Sequence, residues 1–447
     1  MKHIRSTIAA CALLAAPISI AAQAPTPASP NIDLTVVKPE TVGFSTERLE
    51  RLHKLVQDEV NQKQLSGAIT LLARHGKVVD YHIYGKRNME TGTPMTRDTI
   101  FRAYSMSKPI TGVAMMILYE QGKWLPSDPL SKYIPEFANL KVYKGTDASG
   151  KLILVDPDHP PTIGELMSHT AGFSYGFGNF GRPEVDAIYR DKQVMQSKNL
   201  QEMIDKVSTI PLNYQPGKGW MYSLSMDIEG YLIEKLSGQS LPDFMHDHIF
   251  APLGMKDTGF YVPADKRNRF ATNYTWKAET KQLDANPTEN GIPTDYTTQP
   301  TMPSGGGGLV STLDDYYRFA LMLSKGGAIG STRILAPSSV KLMSTNHVAE
   351  SVINGTERQW GIGLSQMRPG FGYGYNVAVM YDPPTANLTD GKGTFFWDGA
   401  AGTWFWVDPT NDIVFVGMIQ RMSSPDNHPL EYKAHTAVNQ ALVDPSK

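Results

Sequence analysis

The placement of strand patterns at the two ends of the chain constrains the fold more than any other feature. Residues 67–87 read as a strand, a His-Gly turn and a second strand, the pattern of a hairpin. Between residues 359 and 422, the chain carries five runs rich in β-branched and aromatic residues: QWGIGLSQM, YNVAVMY, GTFFWDG, TWFWVDP and DIVFVGMIQRM. Helical patterns flank both regions. This arrangement predicts an α+β fold, in which one antiparallel sheet is built from both ends of the chain.

Helical periodicity and capping residues define the elements around this sheet. A helix is predicted after Ser45, which has the side chain of a capping residue, and a second one closes the chain from residue 429. Residues 125–305 differ in texture, because short helical patches alternate with loops rich in Gly, Pro, Asn and aromatics. One domain is therefore expected over residues 41–447. Its α/β part spans about 41–124 and 306–447, and a helical insertion spans about 125–305.

The N-terminus has the composition of a secretory signal peptide. Lys2 and Arg5 precede a short, Ala-rich apolar run, and the sequence from Ala21 to Ala24 offers small residues for cleavage. Residues 1–24 are therefore expected to be removed, residues 25–40 form a Pro/Ser/Thr linker, and the protein is expected to be periplasmic or secreted. Cys11 is the chain's one cysteine. Its loss with the signal peptide leaves neither disulfides nor a thiol nucleophile.

Composition also argues against several classes of function. The formal net charge is −2 at pH 7, so no basic excess suggests a nucleic-acid partner. After the signal peptide, no stretch reaches the roughly 18 uninterrupted apolar residues of a membrane span. The histidines are scattered without paired spacing, so neither a metal nor another cofactor is predicted. The glycine run at 304–308 lacks the Lys-Ser/Thr of a phosphate loop, and close backbone packing near the site is expected there instead.

Chemistry is suggested by the stretch AYSMSKPI, residues 103–110, in which three positions separate Ser105 from Lys108. On a helix these two residues share one face, whereas the equivalent partner of Ser107 is Ile110. A serine hydroxyl needs a base, and a desolvated lysine near a helix N-terminus can supply one. Ser105 is expected to be the N-cap, with Pro109 in the first turn. The spacing alone is a weak signal, and taken by itself it favours a capped helix that carries a surface lysine.

Longer stretches supply the context that the short motif lacks. Residues 99–137, the stretch TIGELMSHTAGF at 162–173, and PGKGWMYSLSMDIEGYLIEKLSG at 216–238 resemble the serine β-lactamase and penicillin-binding-protein superfamily, which carries S-x-x-K. The chain is most similar to the class C β-lactamase-like esterases, the family VIII carboxylesterases. The resemblance covers nearly all of the chain after residue 35. It implies a β-lactamase/transpeptidase-like fold, with an antiparallel sheet flanked by helices and a helical insertion subdomain.

The resemblance also assigns roles to three residues. It implies that Ser105 is the nucleophile, that Lys108 is the lysine of the first motif, and that Tyr222 acts as general base and later as general acid. A tyrosine titrates near 10, so it needs a neighbouring ammonium to serve as phenolate at neutral pH. The second motif departs from the family pattern, because Leu224 stands where class C lactamases carry Asn.

The third motif of the family, Lys-Thr-Gly, has a counterpart of different chemistry. Trp397, Asp398 and Gly399 stand in its place and are expected to bind substrate, and the backbone N–H of Ala400 is expected to pair with that of Ser105 as an oxyanion hole. The missing lysine would have bound a substrate carboxylate. Trp397 offers apolar area instead, and an ionised Asp398 would repel a carboxylate.

Three other patterns resemble functional motifs. Gly172 to Gly176 forms a G-x-S-x-G around Ser174, but a helix precedes it where that motif requires a strand. Residues 392–394 read Lys-Gly-Thr, the wrong order for the third motif. His169 resembles a triad histidine, and we expect it to hold its loop by hydrogen bonds.

The sequence therefore predicts an exported serine hydrolase that cleaves small-molecule carboxylic esters through an acyl-enzyme on Ser105, without a cofactor. Three alternatives stay open: a β-lactamase or D,D-peptidase, an acyltransferase of the same fold, and a catalytically inactive binding protein. Neither the physiological ester nor the oligomeric state is predicted.

Overall fold

The computed structural model describes residues 30–176, 181–285, 288–289, 292–293, 295–355, 368–423 and 430–447. The predicted signal peptide, the first part of the predicted linker and the strand pattern at 359–367 lie outside the described residues.

Strands occur near both ends of the chain and in short pairs between them. In chain order they are β1 (Gly67–Arg74), β2 (Lys77–Asn88), β3 (Thr93–Pro94), β4 (Phe101–Arg102), β5 (Val142–Thr146), β6 (Leu152–Val155), β7 (Tyr274–Lys277), β8 (Gln282–Ala285), β9 (Thr288–Glu289), β10 (Ile292–Pro293), β11 (Val310–Ser311), β12 (Ala328–Ile329), β13 (Thr332–Arg333), β14 (Phe371–Tyr373), β15 (Ala378–Met380), β16 (Thr394–Asp398), β17 (Trp404–Asp408), β18 (Ile413–Met418) and β19 (Arg421–Met422).

Helices occur before, between and after these strands. They are α1 (Thr46–Asn61), α2 (Ser107–Glu120), α3 (Ile163–Met167), α4 (Pro183–Asp191), α5 (Leu200–Val207), α6 (Ser225–Ser237), α7 (Leu241–Met245), α8 (Ala251–Leu253), α9 (Leu313–Ser324), α10 (Pro337–Met343), α11 (Glu350–Ile353) and α12 (Leu430–Asn439). Short 3-10 turns occur at Pro39–Val42, Tyr104–Met106, Leu130–Lys132, Pro135–Asn139, Val194–Gln196 and Ala264–Arg269, and His246–Phe250 forms a π-helical turn.

The central sheet has eight strands in the order β14-β15-β16-β17-β18-β1-β2-β3. Its neighbours pair antiparallel, and β1 of the N-terminal hairpin lies directly against β18, with Ile69 opposite Met418. Every residue of β1 is buried, as expected for a strand that is covered on both faces. The predicted α+β arrangement, with one sheet built from both ends of the chain, is confirmed.

Turn and cap chemistry explain why the N-terminal elements form where the sequence predicts them. His75 and Gly76 both adopt positive φ, 56° and 74°, which a two-residue hairpin turn of the type I′ class requires. Ser45 caps α1 by accepting the N–H of Arg48 at 3.3 Å. The predicted hairpin and this cap are confirmed.

Helices cover both faces of the sheet. Helix α1 packs against β2 and α12, whereas α9 packs against β1, β17 and β18. Successive residues of a strand point to opposite faces, and Tyr81 of β2 donates its hydroxyl to Asp314 of α9. Asp80 and His82 therefore face α1. Tyr316 of α9 donates to the carbonyl of Met106, which ties the start of α2 to the α9 face.

The region between β4 and β11 carries helices α3 to α8. Helix α3 starts with a capping box, because Thr162 accepts the N–H of Glu165 and the Glu165 carboxylate accepts that of Thr162. Helix α6 packs against α2, α3, α5 and α7, and so brings this region beside the start of α2. Among the described helices, none has both the length and the apolar character that crossing a membrane requires.

Candidate active site

Ser105 lies in a 3-10 turn, Tyr104–Met106, between β4 and α2. Tyr104 has φ 46°, an uncommon conformation for a residue with a side chain, so the backbone turns sharply just before the serine. Within residues 101–118, Ser105 is the one residue that is not fully buried. The prediction that Ser105 is the N-cap of the helix is wrong: α2 begins at Ser107 after Met106, because the 3-10 turn intervenes.

Lys108 is completely buried directly below the serine. Its Nζ lies 3.0 Å from Ser105 Oγ and donates to the carbonyl oxygen of Gly306 at 2.6 Å. Burial lowers the pKa of Lys108 from its ordinary 10.5 to about 7, although Asp227, Asp398 and Glu229 each act to raise it. About half of the lysine is therefore a free amine at neutral pH, in position to take the serine proton.

The glycine run supplies the carbonyl that holds this amine. A Cβ on Gly305 would lie 2.3 Å from the carbonyl oxygen of Met226, and one on Gly306 would lie 2.6 Å from the Tyr175 hydroxyl. Ser107 fixes the next segment, because its Oγ accepts the N–H of Leu309 at 3.0 Å. The close backbone packing predicted for this run is confirmed.

Tyr222 approaches Ser105 from the segment that precedes α6. Its hydroxyl donates to Ser105 Oγ at 2.5 Å, and Lys108 Nζ lies 4.5 Å from the centroid of its ring. Burial raises the pKa of Tyr222 far above its usual range, the hydrogen bond to Ser105 acts in the opposite direction, and nearby Asp398 adds to the rise. At neutral pH the side chain is thus a phenol. The structure favours Lys108 as the base and Tyr222 as a proton donor, rather than the phenolate base that the resemblance implies.

Two buried carboxyl groups on α6 stand behind the lysine, and neither is singled out by the sequence motifs. Asp227 accepts the Ser304 hydroxyl at 2.5 Å and the Gly306 N–H at 3.3 Å. Glu229 accepts the side-chain amide of Asn376 at 2.6 Å. Burial raises the pKa of both acids, that of Glu229 to about 8. The available signal was the pair of acids two positions apart in residues 225–233, which are otherwise uncharged.

His169 holds the segment that carries Tyr222. Its Nδ1 lies 3.0 Å from Ser223 Oγ, and its carbonyl oxygen accepts the N–H of Met221 at 2.9 Å. Burial, with a contribution from Lys108, lowers the pKa of His169 well below its usual range, so the ring stays neutral. The contacts match the loop-holding role expected for this histidine.

The third-motif residues end β16 beside this group. The Trp397 ring lies 5.6 Å from that of Tyr222 and 5.1 Å from that of Tyr373, and only 1% of the residue is exposed. Burial and the neighbouring Glu431 raise the pKa of Asp398 well above its usual range. This rise in pKa weakens the repulsion that an ionised Asp398 would exert on a substrate carboxylate. Direct contact of Trp397, Asp398 or Gly399 with a substrate stays a prediction.

Gly399 brings the end of β16 against the turn that carries the nucleophile. A Cβ on Gly399 would lie 2.4 Å from the carbonyl oxygen of Ala103, so only glycine fits there. Ala400 packs against a small buried cluster that contains Tyr104, the neighbour of Ser105. This places the two residues of the predicted oxyanion hole on facing segments.

The structure thus brings together Ser105, Lys108 and Tyr222 and leaves Ser174 elsewhere. Ser174 is buried and donates its hydroxyl to Asp186 at 2.6 Å, a contact that explains its presence without chemistry.

A cavity of about 670 Å³ adjoins the second motif through Met221. None of the three central residues lines it, so the site is defined by hydrogen-bond geometry rather than by cavity size. Its lining is Val142, Tyr143, Lys144, Val155, Asp156, Asp158, Gly181, Arg182, Pro183, Asn213, Tyr214, Gln215, Lys218, Gly219 and Met221.

Comparison with known proteins agrees with the fold. The profile of the Beta-lactamase family matches residues 52–440. The chain is 34% identical over 363 residues to Protein Rv1367c of Mycobacterium tuberculosis, which covers 80% of this chain and 86% of that protein. It is 29% identical over 391 residues to Esterase EstB of Burkholderia gladioli, covering 84% and 92%.

A solved structure gives the same result. The structure of EstCE1, described as a hydrolase with promiscuous acyltransferase activity, superposes with a TM-score of 0.73 at 27% identity, over 88% of this chain and 99% of that one. The β-lactamase/transpeptidase-like fold implied by the resemblance is confirmed.

Proposed function

This chain belongs to the Beta-lactamase family and is a serine hydrolase, and from that premise we propose that it cleaves carboxylic esters through an acyl-enzyme on Ser105. The observation that carries the proposal is the convergence of Lys108 Nζ, at 3.0 Å, and the Tyr222 hydroxyl, at 2.5 Å, on one partly exposed serine oxygen. The similarity to Esterase EstB supports ester as the substrate class.

Acylation follows from the positions of these groups. The neutral amine of Lys108 takes the Ser105 proton while Oγ attacks the ester carbonyl carbon. The backbone N–H groups of Ser105 and Ala400 stabilise the negative charge on the carbonyl oxygen. As the carbon–oxygen bond to the alcohol breaks, Tyr222 gives its phenolic proton to the departing oxygen. The Lys108 ammonium then returns a proton to Tyr222, which restores the amine.

Deacylation uses the same residues with water in place of the alcohol. Water attacks the acyl carbon and passes a proton to the Lys108–Tyr222 pair, and the pair returns a proton to Ser105 Oγ as the acid leaves. An alcohol in place of this water would give transesterification. The similarity to EstCE1, a hydrolase with promiscuous acyltransferase activity, favours that side activity as a second candidate.

The ester proposal is tested with a panel of p-nitrophenyl esters run beside nitrocefin, and with mass spectrometry of the protein after brief exposure to the ester. We expect an acyl adduct on Ser105, loss of the adduct in Ser105→Ala, and a higher kcat/KM for short uncharged esters. If kcat/KM for nitrocefin equalled that for the best ester, the proposed preference for esters would be overturned. Methanol added to the reaction separates acyl transfer from hydrolysis, because the amount of methyl ester formed is compared with the amount of free acid.

We also propose that the protein is exported to the periplasm or beyond. The support is the sequence of residues 1–24 alone, which reads as a signal peptide. N-terminal sequencing of protein from the periplasmic and extracellular fractions should find a start just after one of the residues from Ala21 to Ala24. Recovery only from the cytoplasm, with Met1 retained, would contradict export.

A further inference from the structure

A histidine–aspartate cluster lies between helix α1 and strand β2. His53, Asp80 and His82 each offer one ligand atom, and these atoms all lie within 4.8 Å of one another. His53 Nε2 is 2.8 Å from Asp80 Oδ1, and the rings of His53 and His82 stack at 4.1 Å between centroids. No metal site is predicted from the sequence, because 27 residues separate His53 from Asp80 and only the crossing of α1 over β2 brings them together.

Two features indicate that this cluster is built to hold a cation. Asp80 is 8% exposed, and its Oδ2 is buried with no hydrogen-bond partner. A buried carboxylate oxygen without a partner is costly, and a metal ion would satisfy it. In addition, Glu50 Oε1 lies 3.3 Å from His53 Nδ1. A carboxylate on the far nitrogen of a metal-binding histidine is the usual means of fixing its tautomer and ring orientation.

We propose that His53, Asp80 and His82 bind a divalent first-row transition metal of the zinc type, with water completing the coordination. Two imidazole nitrogens and one carboxylate oxygen suit such ions better than Ca²⁺ or Mg²⁺, which prefer oxygen ligands alone. Metal–ligand bonds of about 2.0–2.2 Å place tetrahedral ligand atoms roughly 3.3 Å apart. The widest separation in the cluster must therefore shrink by no more than about 1.5 Å, which side-chain rotation can supply.

The location assigns the metal a structural role. Asp80 and His82 face α1, whereas Tyr81 between them reaches α9 on the other face, the face that holds the start of α2. The metal would join α1 to β2 across the face opposite Ser105. Binding to the folded chain should then raise thermal stability and leave ester hydrolysis unchanged.

The test uses the untagged full-length protein, treated with EDTA and exchanged into chelator-free buffer. Isothermal titration with ZnCl₂ should give one site per chain, with a dissociation constant of about 10 µM or tighter, and a Tm increase of a few degrees. His82→Ala and Asp80→Asn should weaken binding at least about 100-fold, and Glu50→Gln about 10-fold. His75→Ala is the matched control, because His75 also pairs with an aspartate, Asp412, at 3.0 Å.

A second measurement keeps the proposal falsifiable if a variant fails to fold. Co²⁺ added to the wild-type chain should produce the intense visible absorption of a tetrahedral site with nitrogen and oxygen ligands. Zn²⁺ should displace the Co²⁺ and abolish this absorption. Binding weaker than about 100 µM would overturn the proposal, as would equal affinity in His82→Ala and His75→Ala, or a Co²⁺ spectrum of the hexa-aqua type. Loss of esterase activity on zinc removal would overturn the structural role.

Discussion

The pH dependence of ester hydrolysis distinguishes between two possible bases for Ser105. Burial holds the pKa of Lys108 near 7, whereas it raises that of Tyr222 far above its usual range. At pH 7 a lysine with its ordinary pKa of 10.5 would be neutral in only about 0.03% of molecules, whereas Lys108 is neutral in about half. Burial thus raises the population of active base by roughly 10³-fold, which corresponds to about 4 kcal/mol.

The expected profile follows from the sign of this titration. Because the base must be neutral, log kcat/KM should rise with slope one below pH 7 and level off above about 7. The Tyr222 phenol keeps its proton in this range, so no decline is expected before about pH 9. The assay follows a p-nitrophenyl ester at the isosbestic wavelength of p-nitrophenol, so that titration of the product does not imitate the enzyme.

The Tyr222→Phe variant provides the decisive perturbation. We expect kcat to fall at least about 100-fold, because the leaving alcohol loses its proton donor, while the inflection stays near pH 7. Tyr373→Phe is the control: its hydroxyl is buried in the same aromatic group without a hydrogen-bond partner, and its removal should change little. An inflection near 7 that vanishes in Tyr222→Phe would refute Lys108 as the base. A wild-type inflection near 10 would refute the lowering of the Lys108 pKa by burial.

Three further outcomes are expected. Ser105→Ala should abolish ester hydrolysis and Ser174→Ala should retain most of it, as measured by kcat at saturating ester; the opposite result would remove the nucleophile assignment. Lys108→Met should be inactive yet more stable, since the ammonium is disfavoured in the folded state. The gain in unfolding free energy should be of the order of 4 kcal/mol below pH 7 and should fade as pH rises toward 10.5, as measured by urea unfolding at pH 6 and pH 10. Neutral esters should exceed their carboxylate-bearing analogues in kcat/KM, because Trp397 replaces the third-motif lysine; equal values would show that a cation elsewhere receives the carboxylate.

Short sequence patterns predict those turns and helix caps whose conformation depends only on residues that are adjacent in the chain. The turn at His75 and the cap at Ser45 are each settled within a few residues, so the sequence displays them directly. The prediction that Ser105 caps α2 is wrong because the start of that helix does not depend on a local pattern. A helix start that follows a 3-10 turn, entered through the left-handed conformation of Tyr104, carries no local signature in the sequence.

Long-range contacts account for what could not be predicted from the sequence. The spacing to Lys108 marks Ser105, but Tyr222, 117 residues further along the chain, is assigned only because a family resemblance supplies its motif. No such pattern marks Asn376, which joins Glu229 across 147 residues. The role of Tyr222 as base or as proton donor depends on burial, a property of the assembled site that the sequence does not display.

The protonation states of the buried groups connect the stability of the site to its specificity. Burial pushes the pKa of Lys108 down and those of Asp227, Glu229 and Asp398 up, so each group moves toward its neutral form. Each of these shifts reduces the charge that the folded chain has to bury, and so reduces the cost of isolated buried ions. A neutral ester can therefore occupy the space above Ser105 without disturbing this balance. A substrate carboxylate would favour the ammonium form of Lys108, and would thereby withdraw the amine on which acylation depends.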